Sequence, residues 1–230
     1  MTGAPHRHFD DELTRLKDRL LQMSAAAQES LDRAVRAVLH RDVDVAERVI
    51  AQDTAIDALE VEIEETVTNL LALHQPMARD LRLLLAALKI SNDLERVGDH
   101  AVNISICAKR LTDYRMIAPE PELVEMGRLA RDMLAQAIDA FVRRDADGGR
   151  AVCRQDDQVD ALHRSMFRIL ITHMAEDPHT IGAAMELFLV SRNLERVADL
   201  ATNVAEDVVF LVEGKTIKHG AEMRTPPKAE

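Results

Sequence analysis

Apolar residues recur along most of the chain at alternating steps of three and four residues, which is the spacing of one buried stripe on an α-helix. The first such stretch covers about residues 10–40. Five more follow over about residues 44–73, 77–113, 122–144, 150–175 and 179–213. We therefore predict an all-α protein with six long helices. The stripe of the first helix is Leu13, Leu16, Leu20, Met23 and Ala27, and that of the second is Val49, Ile56, Leu59, Ile63, Leu70 and Leu73.

Polar and proline-containing segments separate these stretches. Asp44 follows the first break and is a candidate N-cap. Pro76 disfavours helix in the residue before it, so we place a turn there. Gly214 fits the C-cap position of the last helix. The polar tail, residues 214–230, is predicted to be disordered.

The two halves of the chain form an internal repeat. Residues 91–103 match residues 191–203 at a constant offset of 100, and residues 41–59 match residues 144–162 at an offset of 103. We infer duplication of a three-helix unit. The predicted units are residues 9–113 and 122–213, and residues 114–121 form the linker between them.

Pairs of acidic residues four positions apart occur twice in each half, and this spacing places each pair on one face of a helix. In each half, the acid pair on the second helix and the acid pair on the third helix lie at similar distances from the turn between those helices. An antiparallel hairpin would therefore bring four carboxylates to one level. The predicted clusters are Asp53, Asp57, Glu95 and Asp99 in the first half, and Asp156, Asp160, Glu195 and Asp199 in the second.

Four neighbouring carboxylates repel one another and favour a bound cation. Hard oxygen ligands suit magnesium, manganese, calcium or iron, and zinc is a further candidate. Asn103, Asn203, His163 and Glu60 are additional candidate ligands or residues that orient the ligands. Two alternatives stay open. The acids could form a salt-bridged network with Arg96 and Arg196, or they could be an ordinary solvated helix face.

Composition excludes several classes of function. The net charge of −11 argues against nucleic-acid binding, which depends on cationic side chains. Cys107 and Cys153 form no C-x-x-C metal motif. We find no signal sequence or membrane span, so we expect a cytoplasmic protein that contacts a membrane only through other proteins. Motifs for a phosphate-binding loop or a nucleophilic hydrolase are absent, and a metalloenzyme would need a dedicated general base. We therefore predict that the chain is not an enzyme.

The repeated motifs Leu94–Asp99 (LERVGD) and Leu194–Asp199 (LERVAD) resemble those of the PhoU family of phosphate-uptake regulators. The resemblance covers about residues 9–213. Gln75-Pro76, Asp80-Leu81-Arg82, the two Asp-x-x-x-Asp pairs and Met174–Asp177 also contribute to it.

This resemblance implies two three-helix bundles side by side, often in a homodimer, with metal ions at the acidic motif pairs. It also implies negative regulation of the phosphate-starvation response and of phosphate uptake. In that role the protein would be an adaptor between the ATPase subunit of the Pst phosphate transporter (PstB) and a PhoR-like sensor histidine kinase. Asp80 and Arg82 match the family's D-L-R element and would lie at a partner-binding surface.

Overall fold

The computed structural model describes residues 4–118 and 120–217, with side chains from residue 9 onward, and contains no β-strand in these ranges. A single 3₁₀ turn, Pro178–Thr180, precedes the last helix. The helices are α1 (Ala4–His40), α2 (Val43–Gln52), α3 (Thr54–His74), α4 (Arg79–Leu111), α5 (Pro121–Arg143), α6 (Ala146–Cys153), α7 (Asp156–Glu176) and α8 (Ile181–Glu213). Of the predicted disordered tail, residues 218–230 lie outside the described residues.

The all-α prediction and the six helical segments are confirmed, and two of the segments are interrupted at equivalent points of the repeat. The second segment divides into α2 and α3 at Asp53, and the fifth divides into α6 and α7 at residues 154–155. At the first break the Ile56 N–H donates to the Asp53 carbonyl at 2.8 Å. Asp53 keeps right-handed helical dihedral angles (φ −57°, ψ −40°), so the interruption changes the hydrogen bonding and leaves the chain direction nearly intact.

Side-chain and backbone caps define the helix ends. The prediction of Asp44 as an N-cap was wrong. Asp42 is the N-cap of α2, and its Oδ1 accepts a hydrogen bond from the Val45 N–H at 3.0 Å. The helix begins earlier than predicted because Asp42, three residues before that N–H, reaches it with its carboxylate. The Gly214 C-cap is confirmed: its φ is 71°, and its N–H donates to the Phe210 carbonyl at 2.8 Å.

One continuous apolar core extends through both halves. The predicted stripe of α1 is buried, and so is an apolar face along each of α4 and α8. Leu73 is the exception in the second predicted stripe: it is 75% exposed, whereas the next residue, His74, packs on Phe9 of α1 with their ring centroids 5.0 Å apart. None of the described helices combines the length and the hydropathy that a membrane-spanning segment requires.

Helices α4 and α8 form the largest helix–helix contact and join the two halves. They run antiparallel, because residues with increasing numbers along α4 contact residues with decreasing numbers along α8. Lys89 pairs with Asp207 (3.2 Å), His100 Nδ1 with Asn193 Oδ1 (2.9 Å) and Arg110 with Glu186 (3.8 Å). This packing buries several faces of α4 and α8 and leaves the acidic motifs on the faces that meet α3 and α7.

Candidate metal centres

Each half contains four acidic side chains where its second helical segment meets its third. We call Asp53, Asp57, Glu95 and Asp99 the first carboxylate cluster, and Asp156, Asp160, Glu195 and Asp199 the second. The helix interruptions place Asp53 and Asp57 at the N-terminus of α3 and Asp156 at the N-terminus of α7. The positive end of the helix dipole stabilises anions there, so the break supports the presence of acids at these positions.

In the first cluster, α3 and α4 approach closely. A Cβ atom at Gly98 would lie only 3.0 Å from Asp53 Oδ1, so the Asp53 carboxylate lies directly against α4. Burial raises the pKa of Glu95 to about 6, with further contributions from the negative charges of Asp99, Glu60, Asp57 and Asp53. Burial also raises the pKa of Asp53, and Asp57 and Asp99 add to this effect. The predicted meeting of the acids of α3 and α4 is therefore present in the fold.

No Lys, Arg or His among the described residues forms an ion pair with any carboxylate of the first cluster. Arg96, one of the two cations considered in the salt-bridge alternative, lies 3.6 Å from Asp93 instead. Asp93 is on the buried side of α4, about a third of a turn from the cluster face. The negative charge of the first cluster is therefore not neutralised by a basic side chain in this part of the chain.

The second cluster has basic neighbours. Arg196 lies 2.9 Å from Asp199 and 3.4 Å from Glu195, and Arg164 lies 3.4 Å from Asp160. Sequence reasoning proposed Arg196 and missed Arg164, although the four-residue step from Asp160 to Arg164 is the spacing of a helical ion pair.

Like charges still dominate the second cluster. Burial raises the pKa of Asp156 to about 6, and the charges of Asp199, Asp160, Glu195 and Asp157 contribute. Burial and Asp199 raise the pKa of Glu195, whereas Arg196 and His163 act in the opposite direction. The two clusters therefore contain equivalent acidic side chains, but within the described residues only the second has basic side chains paired with them.

The acidic side chains share these sites without forming a closed coordination shell. Across the residues that the structure describes, no three Asp, Glu, His or Cys side chains are arranged to hold a metal ion. Coordination of one ion by several of these carboxylates would therefore require different side-chain rotamers. The donor chemistry nevertheless fits a hard cation, because carboxylate oxygens are its preferred ligands. A cation would also relieve the repulsion that adds to the effect of burial on these pKa values.

The further predicted ligands occupy different environments. Glu60 lies near Glu95 and accepts a hydrogen bond from the Asn92 amide at 3.3 Å. His163 lies near Glu195, but its Nδ1 is 3.0 Å from Ser191 Oγ. Asn103 is exposed on α4. Asn203 lines a groove of about 470 Å³ together with Glu60 and Glu64 of the first half, so it faces the other repeat. Metal ligation by these four residues remains a prediction.

The D-L-R element lies at the start of α4. Asp80 is half-buried beside His74 and Met77 in a shallow groove. The Arg82 Nε donates to the Leu211 carbonyl at 3.4 Å, and its guanidinium lies close to Gly214. A cation at the C-terminus of α8 stabilises the helix dipole, so Arg82 contributes to the junction of the two halves. Its predicted place at a partner-binding surface remains a prediction.

Comparison with known proteins agrees with this architecture. The family model described as "PhoU domain" matches residues 20–108 and 123–208. A phosphate-specific transport system accessory protein PhoU homolog of Zymomonas mobilis is 37% identical over 213 residues, covering 93% of this chain and 90% of that protein. A homolog of the same name in Caulobacter vibrioides is 38% identical over 218 residues, covering 94% and 95%.

Two solved structures have the same fold. The crystal structure of PhoU from Pseudomonas aeruginosa superposes with a TM-score of 0.86 at 35% identity, covering 90% of this chain and all (100%) of that one. The phosphate transport system regulatory protein PhoU from Streptococcus pneumoniae gives a TM-score of 0.85 at 30% identity, with coverage of 91% and 99%. The names of these relatives describe accessory and regulatory proteins and no enzyme, as predicted for this chain. With two matched domains, these identities and this fold, the chain belongs to the PhoU family.

Proposed function

We propose that this protein is an accessory regulator of phosphate transport that represses phosphate uptake and the phosphate-starvation response. The observation that carries the proposal is the pair of equivalent carboxylate clusters on a duplicated six-segment fold that matches PhoU proteins over both repeats. The relatives named above are accessory or regulatory proteins of phosphate transport. A protein of this kind acts by binding other proteins and needs no catalytic group.

The two carboxylate clusters are proposed to hold metal ions. Their eight acidic side chains supply oxygen ligands for iron, manganese, magnesium or zinc. A bound cation would offset the burial and the neighbouring negative charges that together raise the pKa of Glu95 and Asp156. The ions would hold α3 against α4, and α7 against α8, at the level of the helix interruptions. The metal therefore has a structural role in this proposal and takes part in no reaction.

The adaptor role is proposed to connect the transporter's ATPase subunit (PstB) with a PhoR-like sensor histidine kinase in the cytoplasm, with the protein as a homodimer. Such a role requires surfaces for different partners. The duplicated fold supplies two related surfaces whose side chains differ, as the unequal cations of the two clusters illustrate.

Metal content provides the first test. We expect elemental mass spectrometry of the purified protein to find bound metal, and the variant Glu95→Ala/Asp99→Ala/Glu195→Ala/Asp199→Ala to lose most of it. The variant Glu65→Ala/Glu176→Ala, which removes exposed acids of α3 and α7 outside the clusters, should keep the wild-type content. Equal metal in all three proteins would contradict the assignment of the clusters.

The regulatory role is tested separately in cells. Deletion of the gene should activate a phosphate-starvation reporter in phosphate-rich medium, and the wild-type gene should restore repression. A reporter that stays repressed after deletion would exclude negative regulation. Binding of purified PstB to the immobilised protein then tests the adaptor role, with the isolated kinase domain as the second ligand.

A further inference from the structure

The hairpin of α7 and α8 carries an apolar surface near its turn. Phe167 and Ile171 of α7 are 50% and 48% exposed, and Ile181 and Met185 of α8 are 46% and 48% exposed. We call these four side chains the α7–α8 patch. Large apolar side chains that are exposed singly are ordinary, but a group of them marks an interaction surface.

The four side chains form one surface. Phe167 and Ile171 are four residues apart, as are Ile181 and Met185, so each pair shares a helix face. The two pairs lie on opposite sides of the turn at Asp177, at similar distances along the antiparallel hairpin. The Phe188 ring joins them, since its centroid is 5.6 Å from that of Phe167 and it packs against the core.

Basic side chains lie around this patch in a chain whose net charge is −11. Arg164 and Arg168 of α7 are each within one helical turn of Phe167, and Arg192 of α8 is one turn beyond Phe188. Arg168 and Arg192 are exposed and form no ion pair with any described residue. Arg164 is paired with Asp160 at 3.4 Å, so Arg168 and Arg192 are the side chains that present unpaired positive charge at the rim within the described part of the chain.

The first repeat lacks this combination. At the offset of 103 between α3 and α7, Glu64 corresponds to Phe167, Glu65 to Arg168 and Thr68 to Ile171. At the offset of 100 between α4 and α8, Asn92 corresponds to Arg192. On α3 the equivalent positions are therefore acidic and polar, although Leu81 and Leu85 of α4 correspond to the apolar Ile181 and Met185. The combination of apolar side chains on both helices with exposed arginines is therefore a feature of the second repeat.

We propose that the α7–α8 patch binds an amphipathic helix of a partner protein, whose apolar stripe is bordered by Asp and Glu side chains. A helix with apolar residues at i, i+3, i+4 and i+7 fits a surface between two helices. Acidic side chains beside that stripe would pair with Arg168 and Arg192 and would fix the orientation of the bound helix. The proposal rests on the adaptor role only for the existence of a partner, because the surface itself is a property of this chain.

Two synthetic peptides of 18 residues, a length of about five helical turns, test this proposal on the full-length protein. Both carry the same Leu stripe, bordered by Glu in one peptide and by Lys in the other, and binding is followed by fluorescence anisotropy. We expect the Glu peptide to bind at least about tenfold more tightly than the Lys peptide. The variant Phe167→Glu/Ile171→Glu should bind the Glu peptide about tenfold more weakly, or weaker still, than the wild type does. The variant Arg168→Glu/Arg192→Glu should reverse the preference between the peptides.

The matched control is Glu64→Gln/Thr68→Ala, which changes the equivalent face of the first repeat and should leave peptide binding unchanged. Circular dichroism should show the same helix content in all variants. The proposal is overturned if the two peptides bind equally, if the patch variant binds like the wild type, or if light scattering shows that the patch variant converts a dimer to a monomer. That last result would assign the patch to a second copy of the chain. A negative result in the peptide-binding experiment would not change the outcome of the reporter assay. The proposal for the α7–α8 patch and the proposed function can therefore fail independently.

Discussion

Gly98 leaves room for the carboxylate of Asp53, because a Cβ atom at position 98 would lie 3.0 Å from Asp53 Oδ1 and 3.1 Å from Ile56 Cδ1. Ala198 occupies the equivalent position of the second repeat and is fully buried. The close contact of α3 with α4 therefore requires a residue without a side chain at position 98. The position of the Asp53 carboxylate in the first carboxylate cluster depends on this contact.

We expect Gly98→Ala to weaken metal binding at the first cluster by about tenfold, the usual effect of displacing a ligand's supporting contact. The free energy of unfolding should change by less than about 1 kcal/mol, since the higher helix propensity of Ala offsets part of the crowding. Metal titration of a protein that also carries Glu195→Ala/Asp199→Ala isolates the first cluster. Unchanged affinity would contradict a dependence of the first cluster on the absence of a side chain at position 98.

The cations of the second cluster lead to a different prediction. Arg196 contacts both Glu195 and Asp199, so it competes with a metal ion for the same oxygens. Arg196→Gln should therefore increase metal affinity at the second cluster. Arg96→Gln is the matched control in the first repeat and should have little effect, because Arg96 lies beside Asp93. Isothermal titration of both variants measures this difference, and weaker binding to Arg196→Gln would show that Arg196 assists the site.

The metal-free protein should become more stable as the pH falls from 7.5 to 5.5. The folded-state pKa values of Glu95 and Asp156, both about 6, lie above their ordinary values. The folded state therefore binds these protons more tightly than the unfolded state, and the stability they add is lost as the pH rises through about 6. After screening by solvent each carboxyl contributes at most about 1 kcal/mol.

Urea unfolding in the presence of a chelator measures this pH dependence. The variant Glu95→Gln/Asp156→Asn should show a flatter pH profile and higher stability at pH 7.5. A variant whose profile matches the wild type would place the responsible groups elsewhere.

The backbones of α6 and α8 pack so closely at Gly149 that no space is left for a side chain. A Cβ atom at the buried Gly149 would lie 2.8 Å from the Ala205 carbonyl oxygen, and a backbone atom cannot move aside as a side chain can. Gly149→Ala should therefore lower the free energy of unfolding by about 1–3 kcal/mol, as measured by urea denaturation. Asp147→Ala changes a side chain of α6 that is 98% exposed and should be nearly neutral.

The two thiols should be unreactive in the folded protein at pH 8. Burial raises the pKa of Cys107 to about 12, with a hydrogen bond to Glu186 as the next contribution, and burial raises the pKa of Cys153 to about 11. Because the thiolate is the reacting form, a colorimetric thiol reagent should modify neither cysteine until urea unfolds the chain. Rapid modification of the native protein would show that the helices around these residues open.

The local sequence pattern was sufficient to predict the helices and the duplication, and to select the acidic residues of the two carboxylate clusters. The three- and four-residue periodicity of Leu13 to Ala27 reports the burial of one helix face, and the matched motifs at Glu95 and Glu195 report duplication. Both signals lie within short stretches of sequence, since helix periodicity depends on neighbouring residues only. The equal distances of the acids from their turns then indicated which carboxylates would meet.

The tertiary structure determined the details that depend on contacts between distant segments. Asp53 lies at a helix interruption whose backbone stays helical, so no Gly or Pro marked it in the sequence. Arg82 reaches the end of α8 across 129 positions, and Arg96 and Arg196 differ in partners although their local motifs agree.

The sequence alone thus determined an all-α duplicated chain with two sets of four acids, because periodicity and repetition are properties of the chain itself. Only the tertiary structure decided which acids have cations beside them, which glycine makes room for Asp53 and which apolar side chains stay exposed on α7 and α8. These features follow from the distances between helices, which local sequence does not encode.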